Sequence, residues 1–161
     1  MYMMNFDEHG IEDLHLMRQI HIGRLLQQVY RQFNQQAIAM LQERGHQGLT
    51  LAHIQLLSHL DVEGNRITVL AERAGITKQS MGQLVTDLED QRYIERKADP
   101  SDRRASLVFF TDRGWEFLQH AYAVWREIEA DYQSILGEAE MRQLRASLAK
   151  LSVHFKGIRT S

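Results

Sequence analysis

A mainly α-helical chain with one small β-hairpin is what this sequence predicts, and three observations predict it. Apolar residues recur at three- and four-residue steps over long stretches near both ends of the chain. Proline, which would break such helices, occurs once, at Pro100. Val, Phe, Ile and Tyr gather in two short runs on either side of that proline, the signature of paired strands around a turn. With 161 residues, 43% of them hydrophobic, the chain can hold one core with extensions.

The elements follow in order. Leu14, Met17, Leu25, Val29, Phe33, Ala37 and Leu41 mark one face of a long first helix, which Gly45 and Gly48 end. A helix of about 30 residues is about 45 Å long, more than a small unit needs for its own core. Thr50 caps a short second helix running to about Leu60, and Asp61 to Asn65 reads as a polar loop. Thr68 caps a third helix, Val69 to Ala74; Gly75 supplies a turn; Thr77 caps a fourth helix ending near Gln91. Tyr93 to Arg96 and Ala105 to Phe110 are the two strands, with Asp99-Pro100-Ser101-Asp102 turning between them. Thr111 opens a second long helix marked by Phe117, Val124, Ile128, Tyr132 and Ile135, which Gly137 breaks. Glu138 and Glu140 then suit the first turn of a last helix, since acids favour the positive end of its dipole. That helix carries Met141, Leu144, Leu148, Leu151 and Phe155, at the spacings of a helix–helix seam. Long helices flanking a smaller middle cannot bury their apolar faces on it alone. These five residues are therefore expected at a dimer interface.

Composition excludes several classes. There is no cysteine, hence no disulfide framework, thiolate metal site or thiol switch. No uninterrupted apolar run exceeds five residues, so no membrane span is expected, and the beginning of the chain does not read as a secretion signal. A cytoplasmic protein is the expectation. The net charge of −2 argues against nucleic acid, but its distribution does not. From Arg66 to Arg104 there are eight basic residues against seven acidic ones, and arginine outnumbers lysine 15 to 4. Arginine suits planar contact with phosphate or carboxylate.

Leu70 to Val85 has the logic of a helix-turn-helix. Leu70 and Ala71 pack inward, Gly75 permits the left-handed turn, and Ile76, Met81, Leu84, Val85 and Leu88 supply the inner face of the following helix. Its outer face presents Thr77, Lys78, Gln79, Ser80 and Gln83, polar side chains able to reach base edges, beside helix N–H groups suited to a phosphate. A hairpin follows at once, with Arg103 and Arg104 near its tip and Asp102 placed to orient one of them. Narrow minor grooves attract arginine, so this is the arrangement of a winged helix. An ordinary helical hairpin with a solvated face and charged loop is the plainer alternative.

Residues 49–118 resemble the MarR (multiple antibiotic resistance regulator) family of bacterial transcription factors. The matching residues are Leu49-Thr50, Leu70-Ala71-Glu72, Ile76-Thr77-Lys78-Gln79-Ser80, Leu88-Glu89 and Ile94-Glu95-Arg96. Most specific is Asp99-Pro100-Ser101-Asp102-Arg103-Arg104, followed by Leu107 and Thr111-Asp112-Arg113-Gly114. The resemblance implies a homodimer with intertwined termini, winged-helix lobes that bind pseudo-palindromic duplex DNA, and repression relieved by a small aromatic or amphipathic ligand. It also implies a ligand pocket where the long helices meet the lobe, which here draws on Met17, His21, Arg24, His53, Leu57, Trp115, Leu118 and Tyr122. The division expected is 1–48 and 113–161 for dimerisation and 49–112 for DNA. One departure is Arg92, where the family has glycine; a differently shaped helix end is expected there.

Two rival classes fit less well. The chain has no GxGxxG, P-loop or HExxH, and nothing places its Ser, His and Asp together, so no enzyme is expected. His9, His15 and His21 are six apart, as are His53 and His59, which is about 240° around a helix and not a shared face; no metal and no cofactor are expected. A winged helix used only to bind protein would leave the polar helix face and the wing arginines without a task.

Overall fold

The computed structural model describes residues 21–158, together with the side chains of all but Arg103 and residues 155–158 among them. Met17 and the start of the first helix's apolar pattern, Leu14, lie outside the described residues. Six helices and three strands follow in the order α1 (Ile22–Glu43), α2 (Leu51–His59), β1 (Asn65–Arg66), α3 (Ile67–Ala74), α4 (Lys78–Asp90), β2 (Ile94–Asp99), β3 (Asp102–Phe110), α5 (Asp112–Leu136) and α6 (Glu138–Ile158).

Three threonines start helices as their sequence positions suggest. Thr50, Thr77 and Thr111 each accept a backbone N–H three residues on, supplying partners to the otherwise unpaired donors of α2, α4 and α5. Thr68 does not. α3 begins two residues earlier than expected, at Ile67, with Arg66 in the capping position and no side-chain cap. The cause is the sheet. Asp61 to Asn65 is not all loop, because Asn65 and Arg66 form β1 and pair antiparallel with Val108 and Leu107 of β3. The wing is therefore a three-stranded sheet, ordered β1-β3-β2, and not a two-stranded hairpin. The strands also run nearer the tip than expected, to Asp99 and from Asp102, leaving Pro100 and Ser101 as the turn.

Helix ends carry the second local rule. At α1, α3 and α4 the chain turns with the same pair of backbone hydrogen bonds: Gly45 N–H to Gln42 and His46 N–H to Leu41, Gly75 to Glu72 and Ile76 to Ala71, Arg92 to Glu89 and Tyr93 to Leu88. This closure requires a left-handed residue, normally glycine. Gly45 and Gly75 comply with φ of 92° and 66°; Arg92 adopts φ 63°, the one non-glycine residue with positive φ among those described. The expectation of a differently shaped helix end is thus wrong. The hydrogen-bonded turn prevails over the side chain's preference, because Tyr93, its next residue, is fully buried and anchors it.

One core joins the lobe to the long helices. Leu41 of α1, Leu56 and Leu57 of α2, Leu70 of α3, Met81, Val85 and Leu88 of α4, Val108 of β3, and Phe117, Val124 and Ile128 of α5 are all buried in it. Ile76 is an exception to the inner face expected, being 39% exposed in the turn itself. The outer half of α1 and most of α6 contribute nothing to this core. Leu25, Val29, Ile135, Leu144, Leu148 and Leu151 remain open in the single chain, whereas Met141 is buried.

Replacing Arg92 with glycine removes the cost of a left-handed side chain while retaining every backbone contact. Arg92→Gly is expected to stabilise the chain by about 0.5–1 kcal/mol, the left-handed penalty less glycine's entropy. Urea unfolding at neutral pH measures it; a loss of stability would mean that the arginine side chain contributes a contact of its own.

Candidate nucleic-acid interface

The exposed face of α4 is built from its N-terminus. Thr77 holds Ser80 N–H at 3.1 Å and lies 2.9 Å from the Ser80 hydroxyl, fixing the first turn. Lys78 and Gln79 follow, both exposed, and neither side chain has a partner among the described residues. Gln83, one turn on, donates its amide to Asp87 Oδ1 at 2.8 Å, which aims the side chain along the helix. Met81, Val85 and Leu88 occupy the opposite, buried face. Hydrophobic burial therefore orients the helix, and the polar residues face outward as a consequence.

The wing is fastened to this helix through Arg96 and to β1 through Asp99. Arg96 of β2 reaches back to α4, donating to the Thr86 hydroxyl at 2.8 Å and pairing with Glu89 at 3.3 Å. Asp99, at the tip of β2, is 5% exposed, accepts three hydrogen bonds and is ion-paired with Arg66. The Ser101 hydroxyl donates at 2.6 Å, Ser101 N–H at 2.8 Å and Arg66 Nε at 2.7 Å, with a second guanidinium nitrogen of Arg66 at 2.6 Å. The Ser101 hydroxyl first, then Ser101 N–H and Arg66, hold this carboxyl down to about 2, so it is ionised at any physiological pH. The Asp102 carboxylate accepts the backbone N–H of Arg104 at 3.0 Å, shaping the turn, and at the wing tip the described carboxylate–arginine pair is Asp99 with Arg66. The Arg103 side chain lies outside the described atoms.

Between wing and helix lies a cleft of about 310 Å³, lined by Arg66, Thr68, Lys78, Asp102, Arg104 and Ser106. Three cations, one carboxylate and two hydroxyls converge there from four elements. Arg66 is the member the sequence did not single out. Its only signal is a basic residue next to an apolar run, and its place in the cleft comes from β1, too short to show a period.

Of the eight residues expected to form a ligand pocket, Met17 lies outside the described residues, and the other seven divide among separate places in the single chain. Leu57, Trp115, Leu118 and Tyr122 line one cavity of about 540 Å³ beside the α2–β1 loop. Trp115 packs on Phe110 with ring centres 5.1 Å apart, and Tyr122 meets Trp125 at 5.3 Å. His53 is buried elsewhere, its ring 3.7 Å from Asp87 and occupied as the capping partner of Thr50. His21 caps α1, and Arg24 borders a separate cleft along that helix. A helical spacing cannot show which side of α2 or α1 meets α5.

Residues 47–105 match the sequence profile of the MarR family. The transcriptional repressor MdtR of Bacillus subtilis is 31% identical over 114 residues, spanning 70% of this chain and 74% of that protein. The chain belongs to the MarR family. Its relatives are transcriptional regulators, and the fold agrees with theirs. A MarR transcriptional regulator from Methanosarcina mazei superposes with a TM-score of 0.73 at 21% identity, over 85% of this chain and 97% of that one. MepR of S. aureus, solved in complex with DNA, gives 0.68 at 21% identity, over 84% and 98%. As a member, this chain is a DNA-binding transcriptional regulator, and no described helix is long and apolar enough to cross a membrane.

Asp99→Asn keeps the shape but removes the charge that holds Arg66 and Ser101. The wing tip is expected to loosen, so that the Ser101 and Arg104 amides exchange with solvent faster in the variant than in the wild type. In the wild type, a carboxyl held down to about 2 keeps its stabilising effect above its ordinary value of 3.8, and loses it as the pH falls toward 2. Hydrogen exchange at neutral pH checks the variant; equal protection would assign the tip's rigidity to the sheet alone.

Proposed function

We propose that this regulator is a cytoplasmic homodimer acting by binding and not by catalysis, a repressor of pseudo-palindromic duplex DNA that a small aromatic or amphipathic ligand releases. The observation that carries the DNA reading is the cleft where Lys78, Arg66 and Arg104 meet beside the free polar face of α4. A duplex laid across it places a phosphate beside Lys78 and Arg104, Arg66 being paired with Asp99, with Gln79, Ser80 and Gln83 toward the major groove and the wing arginines toward the flanking minor groove. The unit 49–112 is then the reading head, and 1–48 with 113–161 the dimerisation part.

The homodimer rests on the apolar surface that one chain leaves open. Leu25, Val29, Ile135 and Leu144 border a cleft of about 460 Å³ between α1, α5 and α6, and Leu148 and Leu151 continue it along α6. A second copy is its natural cover, since a two-fold dimer sets the same patch against itself and duplicates the reading head for a palindrome. Ligand release rests on the aromatic cavity. Its size suits a small molecule, and its walls connect α2 and β3 of the lobe with α5.

Two measurements test this. Arg103→Ala/Arg104→Ala should leave the melting temperature nearly unchanged, yet weaken binding to a duplex selected from a randomised pool by at least about 100-fold, roughly 2.7 kcal/mol. Unaltered affinity in the folded double variant would remove the wing from the mechanism. A chain that binds no duplex even at low salt would instead favour a protein-binding module. Separately, removing residues 138–161 should yield monomers or aggregates with weak duplex binding, as read by light scattering; a dimer of normal affinity would refute the seam at Met141, Leu144, Leu148, Leu151 and Phe155.

A further inference from the structure

The joint between the long helices and the lobe contains a row of polar groups that the DNA reading does not use. His46, just past α1, is 2% exposed. Its Nδ1 lies 3.0 Å from the Tyr93 hydroxyl, and its Nε2 lies 2.9 Å from Nδ1 of His120 on α5. Arg113 of α5 donates to the Tyr93 oxygen at 3.2 Å and places its guanidinium 4.5 Å from the centre of that ring. Tyr93 itself is fully buried. The rings of His46, Tyr93 and Phe117 meet at centre distances of 5.3 to 5.9 Å, leaving the polar atoms little space to move.

Donor counting orders the row. Arginine only donates, so the Tyr93 oxygen accepts from Arg113 and the tyrosine's own hydrogen must go elsewhere. Its acceptor among the described residues is His46 Nδ1. A neutral imidazole accepting at Nδ1 carries its hydrogen on Nε2, and that hydrogen points to His120 Nδ1. The row thus runs Arg113 to Tyr93 to His46 to His120, one hydrogen per contact, with the last ring half-buried and open to water.

An added proton has no place in it. Each imidazole keeps one nitrogen free of hydrogen, and each such nitrogen already receives a hydrogen bond. Protonating His120 puts two hydrogens into its contact with His46. Turning His46 to its other tautomer moves the conflict to Tyr93, and rotating the Tyr93 hydroxyl leaves that hydrogen buried without an acceptor, which is costly. The charged groups facing His46 agree. From α5 come Arg113 and Glu116 besides His120; burial, then His120, hold its imidazole below the ordinary 6.5, with Glu116 opposing and Arg113 adding.

We propose that the row Arg113–Tyr93–His46–His120 is a proton-operated coupling between the long helices and the reading head, so that acidification loosens the grip on DNA. The site of the row supplies the connection. Tyr93 is the residue that anchors the end of α4 and leads into β2, and Arg113 also donates to the Gln91 carbonyl at that end. Breaking the row removes the side-chain ties between α5 and the start of β2 at the end of the recognition helix, and so loosens that joint. The sign is diagnostic. Adding positive charge to a DNA-binding protein ordinarily tightens binding as pH falls, because phosphate attracts it. The row predicts the opposite. An unfolded imidazole takes its proton near 6.5 and His46 takes it lower, so the joint is fully formed above about pH 6.5 and weakens below.

This inference rests on the DNA reading, and the experiment separates the two. The probe is a fluorescein-labelled duplex selected from a randomised pool at pH 7.5, followed by anisotropy at constant ionic strength from pH 7.5 to 5.5, with full-length protein. Wild-type affinity is expected to fall at least about fivefold over this range, within the limit of about tenfold per pH unit for one linked proton. Tyr93→Phe keeps the ring but removes the hydrogen that becomes orphaned, and His120→Gln keeps an acceptor that does not titrate. Tyr93→Phe breaks two contacts of the row and is expected to bind more weakly than wild type at pH 7.5, His120→Gln to bind as wild type there, and both to lose more than half of the pH slope. Imidazole NMR of free protein locates the titration at His46 without DNA. Affinity that is flat or rises on acidification, or a wild-type slope in both variants, would overturn the coupling. A normal imidazole titration with no duplex bound at any pH would strike the DNA reading instead.

Discussion

Everything in this fold is referred to one contact between two backbones. The first turn of α5 lies directly on the Tyr93 carbonyl, so closely that a Cβ on Gly114 would stand 2.1 Å from that oxygen. Only glycine permits it. The same carbonyl accepts the Thr111 N–H at 3.1 Å, and the Thr111 hydroxyl donates to the Arg92 carbonyl beside it. The end of the recognition helix, the start of the wing and the start of the long helix therefore meet at a point with no side chain between them. Burial of Tyr93 and Phe117 on either side holds the three together. The orientation of the reading head relative to the dimerisation helices is set there.

This joint explains why an unfavourable residue is tolerated next to it. Arg92 is left-handed, yet its N–H, its carbonyl and its successor are all committed: to Glu89, to Thr111 and to the core. Surroundings that over-determine a backbone can hold it in a conformation its side chain disfavours. Charge is handled with the same economy. The pairs Arg66–Asp99 and Arg96–Glu89 consume basic residues inside the lobe, so the local excess of positive charge is smaller than a count of arginines suggests. What remains for a phosphate is position, with Lys78 and Arg104 brought to one cleft.

Much of the architecture was legible because it is local. Thr50, Thr77 and Thr111 announce helix starts, Gly75 and Gly137 announce ends, and the apolar steps of α1 and α5 announce length. Each signal lies within a few residues of its effect. The unread features join residues far apart. Asn65–Arg66 becomes a strand only because Leu107–Val108 is there to pair with it, and Arg66 meets Asp99 across 33 residues. His46 and His120 are 74 residues apart, and no spacing predicts that their rings touch. The described residues expected at a ligand pocket are divided for this reason: periodicity names the polar and apolar faces of α1, α2 and α5, but not which faces oppose each other. Arg92 misled in the other direction, since residue preference is weaker than a buried neighbour.

The aromatic cavity has an optical consequence. The chain has two tryptophans, and both Trp115 and Trp125 stand on the walls of that one cavity, against Phe110 and Tyr122 respectively. Nearly all of the molecule's red-edge absorption and its tryptophan emission thus originate in a single place. Its native fluorescence reports one local environment, without a label and without averaging over distant sites.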